Sequence, residues 1–310
     1  MKLISIMTPC FNEEGNVENV YRQVKEVFKT LPEYNYEHVF IDNASTDRTV
    51  EILKKIAKDD KNVKIIVNVR NFGHVRSPYH GVLQCEGDAV VGLVADLQDP
   101  PVMIKDFIKK WEEGYKIVLG IKAKSKENKL MFLVRRLFYH IMFKISDTEQ
   151  IKNFTGFGLY DKEFIDILRN LDEPYPYFRG LVSELGFQRI EIPYTQSRRE
   201  KDKTKNNFYT LYDIAMLGFV NHSKVPLRLA SFIGFAVSLI SFLIAFAYLL
   251  YKLIFWNSFQ LGMAPLVIGI FFLGGVQLFF LGMIGEYIGA IFTQVKKRPL
   301  VIEKERINFD

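Results

Sequence analysis

Short apolar runs alternate with stretches of helical periodicity through the first ~120 residues, the pattern of a parallel sheet wound with helices. Residues 3–7, 38–41, 63–67, 89–94 and 117–119 are rich in Val, Ile and Leu and read as buried strands. Between them Val17, Val20, Tyr21, Val24, Val27 and Phe28 recur at helical spacing, as do Val50, Leu53, Ile56 and Ala57 behind a cap at Thr46. This half of the chain is expected to be a Rossmann-like α/β unit. The pattern then changes. Residues 229–251 carry no charge, and after Lys252 none occurs until Glu286, so each stretch exceeds the ~20 residues a membrane helix needs.

Lys224 and Arg228 precede the first stretch and Lys296, Lys297 and Arg298 follow the second, while the loop at 257–262 has neither Lys nor Arg. By the positive-inside rule both termini read as cytoplasmic. Two further segments, 130–143 and 208–219, mix apolar residues with Arg135, Arg136 and Lys144 or lead directly into the first span. Each suits a core helix or a helix lying in the lipid headgroup layer, and the neighbouring spans favour the latter.

Composition narrows the class. With 310 residues, 49% hydrophobic and 25% charged, the chain is neither disordered nor fibrous. Its net charge of +6 is spread rather than gathered into one tail, so nucleic acid is not an expected partner. The opening residues do not read as a signal peptide, since a polar FNEEGN follows a short apolar run. Cys10 and Cys85 lack the spacing of a metal motif and read as buried thiols.

In sheets of this kind ligands gather beyond the carboxyl ends of the strands. The loops there read TPCFNEEG, DNASTD, NVRNFGH and ADLQDPP, with no GxGxxG and no P-loop, which argues against dinucleotide oxidoreductases and nucleoside triphosphatases. They carry Glu13, Asp42, Asp47, Asp96 and Asp99 instead. Asp96, Gln98 and Asp99 suit a hard divalent cation, or equally an acidic helix start facing solvent. Glu13 and Asp42 can accept from a base N–H or a ribose hydroxyl, and Asp47 reads as a helix cap.

Taken in order and spacing, TPCFNEEGNV, VFIDNASTDRT, NVRNFGH and ADLQDPP resemble the family 2 glycosyltransferases of the polyprenyl-phosphate branch, and YFRGLVSELGF, the basic SRREKDKTK run, both spans and the late GEYIG extend the likeness over nearly the whole chain. The resemblance implies a GT-A, Rossmann-like nucleotide-sugar-binding domain at 1–224 that includes interfacial helices, a two-helix transmembrane anchor at 225–295 and a cytoplasmic basic tail at 296–310, in a prokaryotic cell membrane.

Carried across residue by residue, Pro9, Phe11, Glu13 and Asp42 would line the nucleotide pocket together with Asn71 and Gly73 of the NFGH loop. Asp96 and Gln98 would be the catalytic pair, holding Mg²⁺ or Mn²⁺ against the donor diphosphate. Lys122, Arg135, Arg198, Arg199 and Lys203 would face the acceptor phosphate, although basic groups there also suit attraction to anionic headgroups. His74 receives no proton-transfer role. The implied partners are a UDP or GDP sugar, a polyprenyl phosphate and the membrane, with a homo-oligomer allowed.

The chain departs from the family pattern at three places. Val94 stands where a second acid is usual, the DDGS motif reads Asp42, Asn43, Ala44, Ser45, and Gly156 replaces an acid often proposed as catalytic. A phosphate monoester has a second pKa of ~6 and is largely a dianion at neutral pH, so it needs little base. A sugar-hydroxyl acceptor would need one, from Glu184 or Asp161. The expected reaction is therefore inverting transfer of a sugar to polyprenyl phosphate at the cytoplasmic face, supplying a donor for cell-envelope glycans. Extension of a lipid-diphosphate-linked oligosaccharide at a hydroxyl is the alternative, and an inactive membrane-bound scaffold is a third reading.

Overall fold

The computed structural model describes residues 1–124, 151, 153–174, 176–196, 225–255 and 263–309. The five expected strands are β1 (Lys2–Cys10), β2 (Tyr34–Asp42), β3 (Val63–Asn68), β4 (Ala89–Gly92) and β5 (Ile117–Lys124). Three more, β6 (Phe154–Asp161), β7 (Arg189–Thr195) and β8 (Glu303–Ile307), complete a sheet in the order β7-β5-β6-β4-β1-β2-β3-β8. Strands β1 to β4 pair in parallel, whereas β6 runs antiparallel to β4 and β5, and β8 antiparallel to β3.

Side chains alternate between the two faces, as the pleat requires. Ile4 and Ile6 of β1, Phe40 of β2 and Ile65 of β3 enter one core, and Met7, Val39, Ile41 and Ile66 enter the other. The first core is covered by α1 (Val17–Lys29), α2 (Thr49–Asp59) and α4 (Ile104–Glu112), whose buried residues repeat at helical spacing. The second is covered by α3 (Gly73–Leu83), α5 (Lys162–Asn170) and α6 (Phe178–Glu184). Gly81 lets α3 lie close on the sheet, because a Cβ there would stand 2.9 Å from Ile41 Cγ2.

The cap expected at Thr46 is not made. The second helix starts at Thr49, and the Asp47 carboxylate takes both the Thr49 N–H (3.0 Å) and its hydroxyl (2.5 Å). Thr46 instead gives its N–H to Asn12 Oδ1 at 2.7 Å, which ties it to the neighbouring loop.

Helices α7 (Val225–Ile254) and α8 (Met263–Val295) are apolar all round, and Phe232 and Phe271 are 73% and 78% exposed. Within them Leu227–Tyr251 and Gly269–Val295 are long and apolar enough to cross a membrane. The segments 130–143 and 208–219 lie outside the described residues.

The region set apart as a basic tail is not one. Its residues Glu303–Ile307 form the edge strand β8, and Asn308 Nδ2 donates to the carbonyls of Ala57 and Val63 at 2.8 Å each. The charges of EKERI are those of a protected sheet edge, and Lys54 pairs with Glu305 at 2.6 Å. Strands β1 to β7, which precede α7, and β8, which follows α8, therefore belong to one sheet.

Candidate active site

Four loops meet beyond the carboxyl ends of β1 to β4, and polar side chains bind the first three to one another. The loop after β1 is laced to the loop after β2: Asn12 N–H donates to Ser45 Oγ (2.8 Å), Glu13 N–H to Thr49 Oγ1 (2.8 Å), and Glu14 Oε2 accepts from Arg48 N–H (3.0 Å). Asn12 at φ +56° and Ala44 at φ +63° take the left-handed turn that brings these loops together. Ala44 does so without the short polar side chain that eases this conformation for Asn.

Asp42 ends β2 where expected, yet it is fully buried, and both of its oxygens already accept from Ser45, one from the backbone N–H at 2.9 Å and one from the hydroxyl. Burial pushes its carboxyl above the ordinary range, against the opposing pull of those bonds. Asp42 thus braces the pocket wall from beneath rather than presenting a bare carboxylate. Pro9 and Phe11 are half-buried beside it. Glu13 accepts the Asn16 amide at 2.7 Å and so also stabilises the start of α1. Burial, and then the charges of Asp42, Glu13 and Asp47, hold the Cys10 thiol far above its usual range, which removes it as a nucleophile.

Asn43, read from sequence only as part of the departure from DDGS, organises the third loop. Its Nδ2 donates to Asn71 Oδ1 (2.9 Å) and the Gly73 carbonyl (3.1 Å), while its Oδ1 accepts Phe72 N–H at 2.8 Å. Asn71 Oδ1 also takes the Gly73 N–H at 2.8 Å, so this oxygen shapes its own loop. Gly73 itself stands at φ +87°, a conformation that glycine adopts without steric cost.

The fourth loop presents Asp96 and Gln98, both half-buried, on either side of Leu97 at φ +55°. That reversal turns the Gln98 N–H back onto Asp96 Oδ1 at 3.2 Å, an Asx turn that fixes the Asp96 side chain at the rim. Asp99 points elsewhere: it is 2% exposed and accepts from the Tyr194 hydroxyl and from Gln196 Nε2 (3.4 Å). Burial raises its carboxyl, opposed by Tyr194 and the nearby Lys122. Lys122, at the end of β5, thus reaches the same rim. The remaining expected phosphate ligands, Arg135, Arg198, Arg199 and Lys203, lie outside the described residues. Val94 is 38% exposed, so the acid that usually stands there would face the site mouth.

Of the two carboxylates considered as bases, Asp161 does not fill the gap left by Gly156. Because β6 runs antiparallel, Asp161 pairs with Ala89 at the opposite rim, where it caps α5 and binds Trp111 Nε1 (2.7 Å) and Lys116 (3.1 Å). This removes Asp161 as a candidate base. Glu184 ends α6, shortly before Gln188, whose carbonyl is bonded to Lys116 and Ile117 N–H at the start of β5. Gly156 lies at the active rim with φ +102°.

Residues 5–167 match the glycosyl transferase family 2 domain, so this chain belongs to glycosyl transferase family 2 and is a glycosyltransferase of the GT-A fold. It is 37% identical over 96% of its length to the uncharacterized glycosyltransferase YkcC of Bacillus subtilis, 92% of which is covered. It is 35% identical to the bactoprenol glucosyl transferase of Shigella phage SfII, with 97% of each chain covered. Among solved structures, mannosyl-3-phosphoglycerate synthase from Rubrobacter xylanophilus matches with a TM-score of 0.50 at 12% identity, covering 74% of each chain, a likeness of fold.

Proposed function

We propose that this glycosyltransferase moves a sugar from a nucleotide-sugar to a polyprenyl phosphate, with the catalytic domain on the cytoplasmic face of the membrane. The observation that carries the choice of acceptor is the rim around Gly156. Where a base would be needed the backbone stands at φ +102° on a glycine, and Asp161 is at the other end of the sheet. An acceptor that arrives already ionised is what such a site serves best. The bactoprenol glucosyl transferases, aligned over nearly the full chain, support the same reading.

Asp96 and Gln98 offer one carboxylate and one amide oxygen, and no cluster of three His, Cys, Asp or Glu side chains stands among the described residues. This sparse set suits Mg²⁺ or Mn²⁺, which takes few protein ligands and completes its shell with water and substrate phosphate. When bound, such an ion offsets charge on the departing nucleoside diphosphate.

In the reaction an acceptor phosphate oxygen donates its electron pair to the anomeric carbon as the bond to the nucleoside diphosphate breaks, and the configuration inverts. No proton moves. The braced loops after β1, β2 and β3 hold the donor, the Asp96–Gln98 turn holds its diphosphate end, and Lys122 draws the second anion to the rim. The chain's work is to keep two anions in line in spite of their repulsion.

Purified protein in lipid nanodiscs, given polyprenyl phosphate and a panel of radiolabelled nucleotide sugars, should form a lipid-linked sugar that mild acid releases. Excess EDTA and Asp96→Ala should each abolish it. Turnover in EDTA would remove the metal, and a product resistant to mild acid would remove the monophosphate acceptor. For orientation, an impermeant thiol reagent should label Ser258→Cys from outside intact cells, and labelling of Lys304→Cys instead would reverse the face. Background is low because Cys10 and Cys85 are both buried.

A further inference from the structure

Between the end of α8 and the edge strand β8 the chain runs along α3. Arg76 and His80 of that helix and Gln84, its C-cap, are spaced four residues apart along one stripe. Each is held from the same segment. Arg76 donates to the Pro299 carbonyl, His80 Nε2 lies 2.5 Å from Glu303 Oε1, and Arg306 Nη2 donates to Gln84 Oε1 at 2.5 Å. Arg306 also donates twice to Glu303, at 2.5 and 2.8 Å, and foremost among the influences on it holds that carboxyl below its ordinary range. Glu303 is therefore an ionised acceptor, and the His80 nitrogen facing it carries the proton.

The segment also reaches the loop ahead of the helix, since Val69 N–H donates to the Ile302 carbonyl at 3.0 Å. Residues 299–306 thus hold the 69–73 loop at its first residue, Val69, and reach the helix just after it at Arg76. Within the loop the Phe72 ring lies under the Arg70 guanidinium, 4.1 Å from ring centre, with that of Arg76 at 5.6 Å. Asn43 secures the same loop from the sheet side.

We propose that residues 299–306 form a splint that presets the 69–73 loop for nucleotide-sugar binding, which makes Glu303 and Arg306 positioning residues that act through α3. The proposal rests on the reading of that loop as part of the donor pocket. Its physical content is preorganisation: the loop loses its conformational freedom on folding, so donor binding does not have to remove it. Because the splint follows α8 directly, the membrane anchor and the donor loop are connected through a short run of backbone.

Full-length Glu303→Ala and Arg306→Ala proteins in nanodiscs test this. Each should raise the KM for nucleotide-sugar about fivefold or more, the scale of a charged hydrogen bond partly transmitted. The kcat at saturating donor and the KM for lipid should stay within about twofold. Amide exchange should quicken across residues 69–80 and not in β1 or β4, and Glu303→Gln, which keeps an acceptor oxygen for His80, should fall between wild type and alanine. Unmoved exchange together with an unmoved donor KM would overturn the splint itself. Quickened loop exchange with an unmoved donor KM would overturn the proposal by showing that the loop is not part of the donor pocket. If an alanine variant fails to fold, Glu303→Gln decides by the same two measures.

Discussion

Restoring a carboxylate at Gly156 separates the two acceptor chemistries. The backbone there has φ +102°, and a Cβ would meet nothing within 4 Å, so Gly156→Asp is strained by conformation and not by crowding. Such strain costs about 1–3 kcal/mol, which a domain with a usual ~5–15 kcal/mol of stability survives. If the acceptor is a phosphate dianion, the new carboxylate has no proton to take and only repels it. At ~8 Å and an effective dielectric of ~40, one charge against two amounts to about 2 kcal/mol, or up to about thirtyfold weaker use of the lipid. If the acceptor is a hydroxyl, a general base is worth ~10² to 10⁴ in rate. Single-turnover transfer with saturating donor reads the difference, and Gly156→Asn carries the same backbone strain without the charge. A gain of about tenfold or more in Gly156→Asp that Gly156→Asn lacks would refute the phosphate-acceptor reasoning, since it lies in the direction of base catalysis.

Three further outcomes are expected. Ala44→Gly relieves the left-handed strain at φ +63°, offset by extra freedom in the unfolded chain, and should stabilise by up to about 1 kcal/mol in a urea titration; a loss of stability would show that the turn favours its methyl group. His38 is fully buried and burial pushes its pKa down to about 3, so below the unfolded value of about 6.5 the unfolded chain binds the extra proton and stability falls with pH, by about 2 kcal/mol between pH 7 and 5. His38→Gln should flatten that part of the stability profile, and an unchanged slope would assign it to another group. Val94→Asp places a second carboxylate at the site mouth and should lower the Mg²⁺ concentration giving half-maximal turnover several-fold; no change would mean that Asp96 and this position do not share an ion.

The strands that sequence revealed are those buried on both faces, where unbroken Val, Ile and Leu leave a plain signal. Those it missed are of other kinds. In β6, TGFGLYD carries glycines because the sheet is tight there: a Cβ on Gly158 would stand 2.5 Å from the Val118 carbonyl. In β7, RIEIPYT is half-exposed, and in β8 the charges of EKERI protect an edge, which made it look like a tail. Helix α3 was hidden by its internal Pro78. At the site, the placement of Asp42, Asp96 and Gln98 was legible because strand ends locate the rim. Occupancy was not, since only folded contacts reveal that Ser45 bonds both oxygens of Asp42, that Tyr194 bonds Asp99, and that Asn43 holds the 71–73 loop. The removal of Asp161 followed from the direction of one strand, which spacing does not encode.

The position of β8 at the sheet edge also dictates an order of events during synthesis. Its partner β3 is translated early, but the residues that cover its outer edge follow both long apolar helices. Until then that edge offers unpaired N–H and C=O groups to any extended chain nearby. The catalytic sheet can be sealed only after the ribosome has delivered both apolar helices, so synthesis of those helices and completion of the enzyme are successive steps of one process. A nascent chain stalled between them would hold a nearly complete glycosyltransferase domain with one adhesive side.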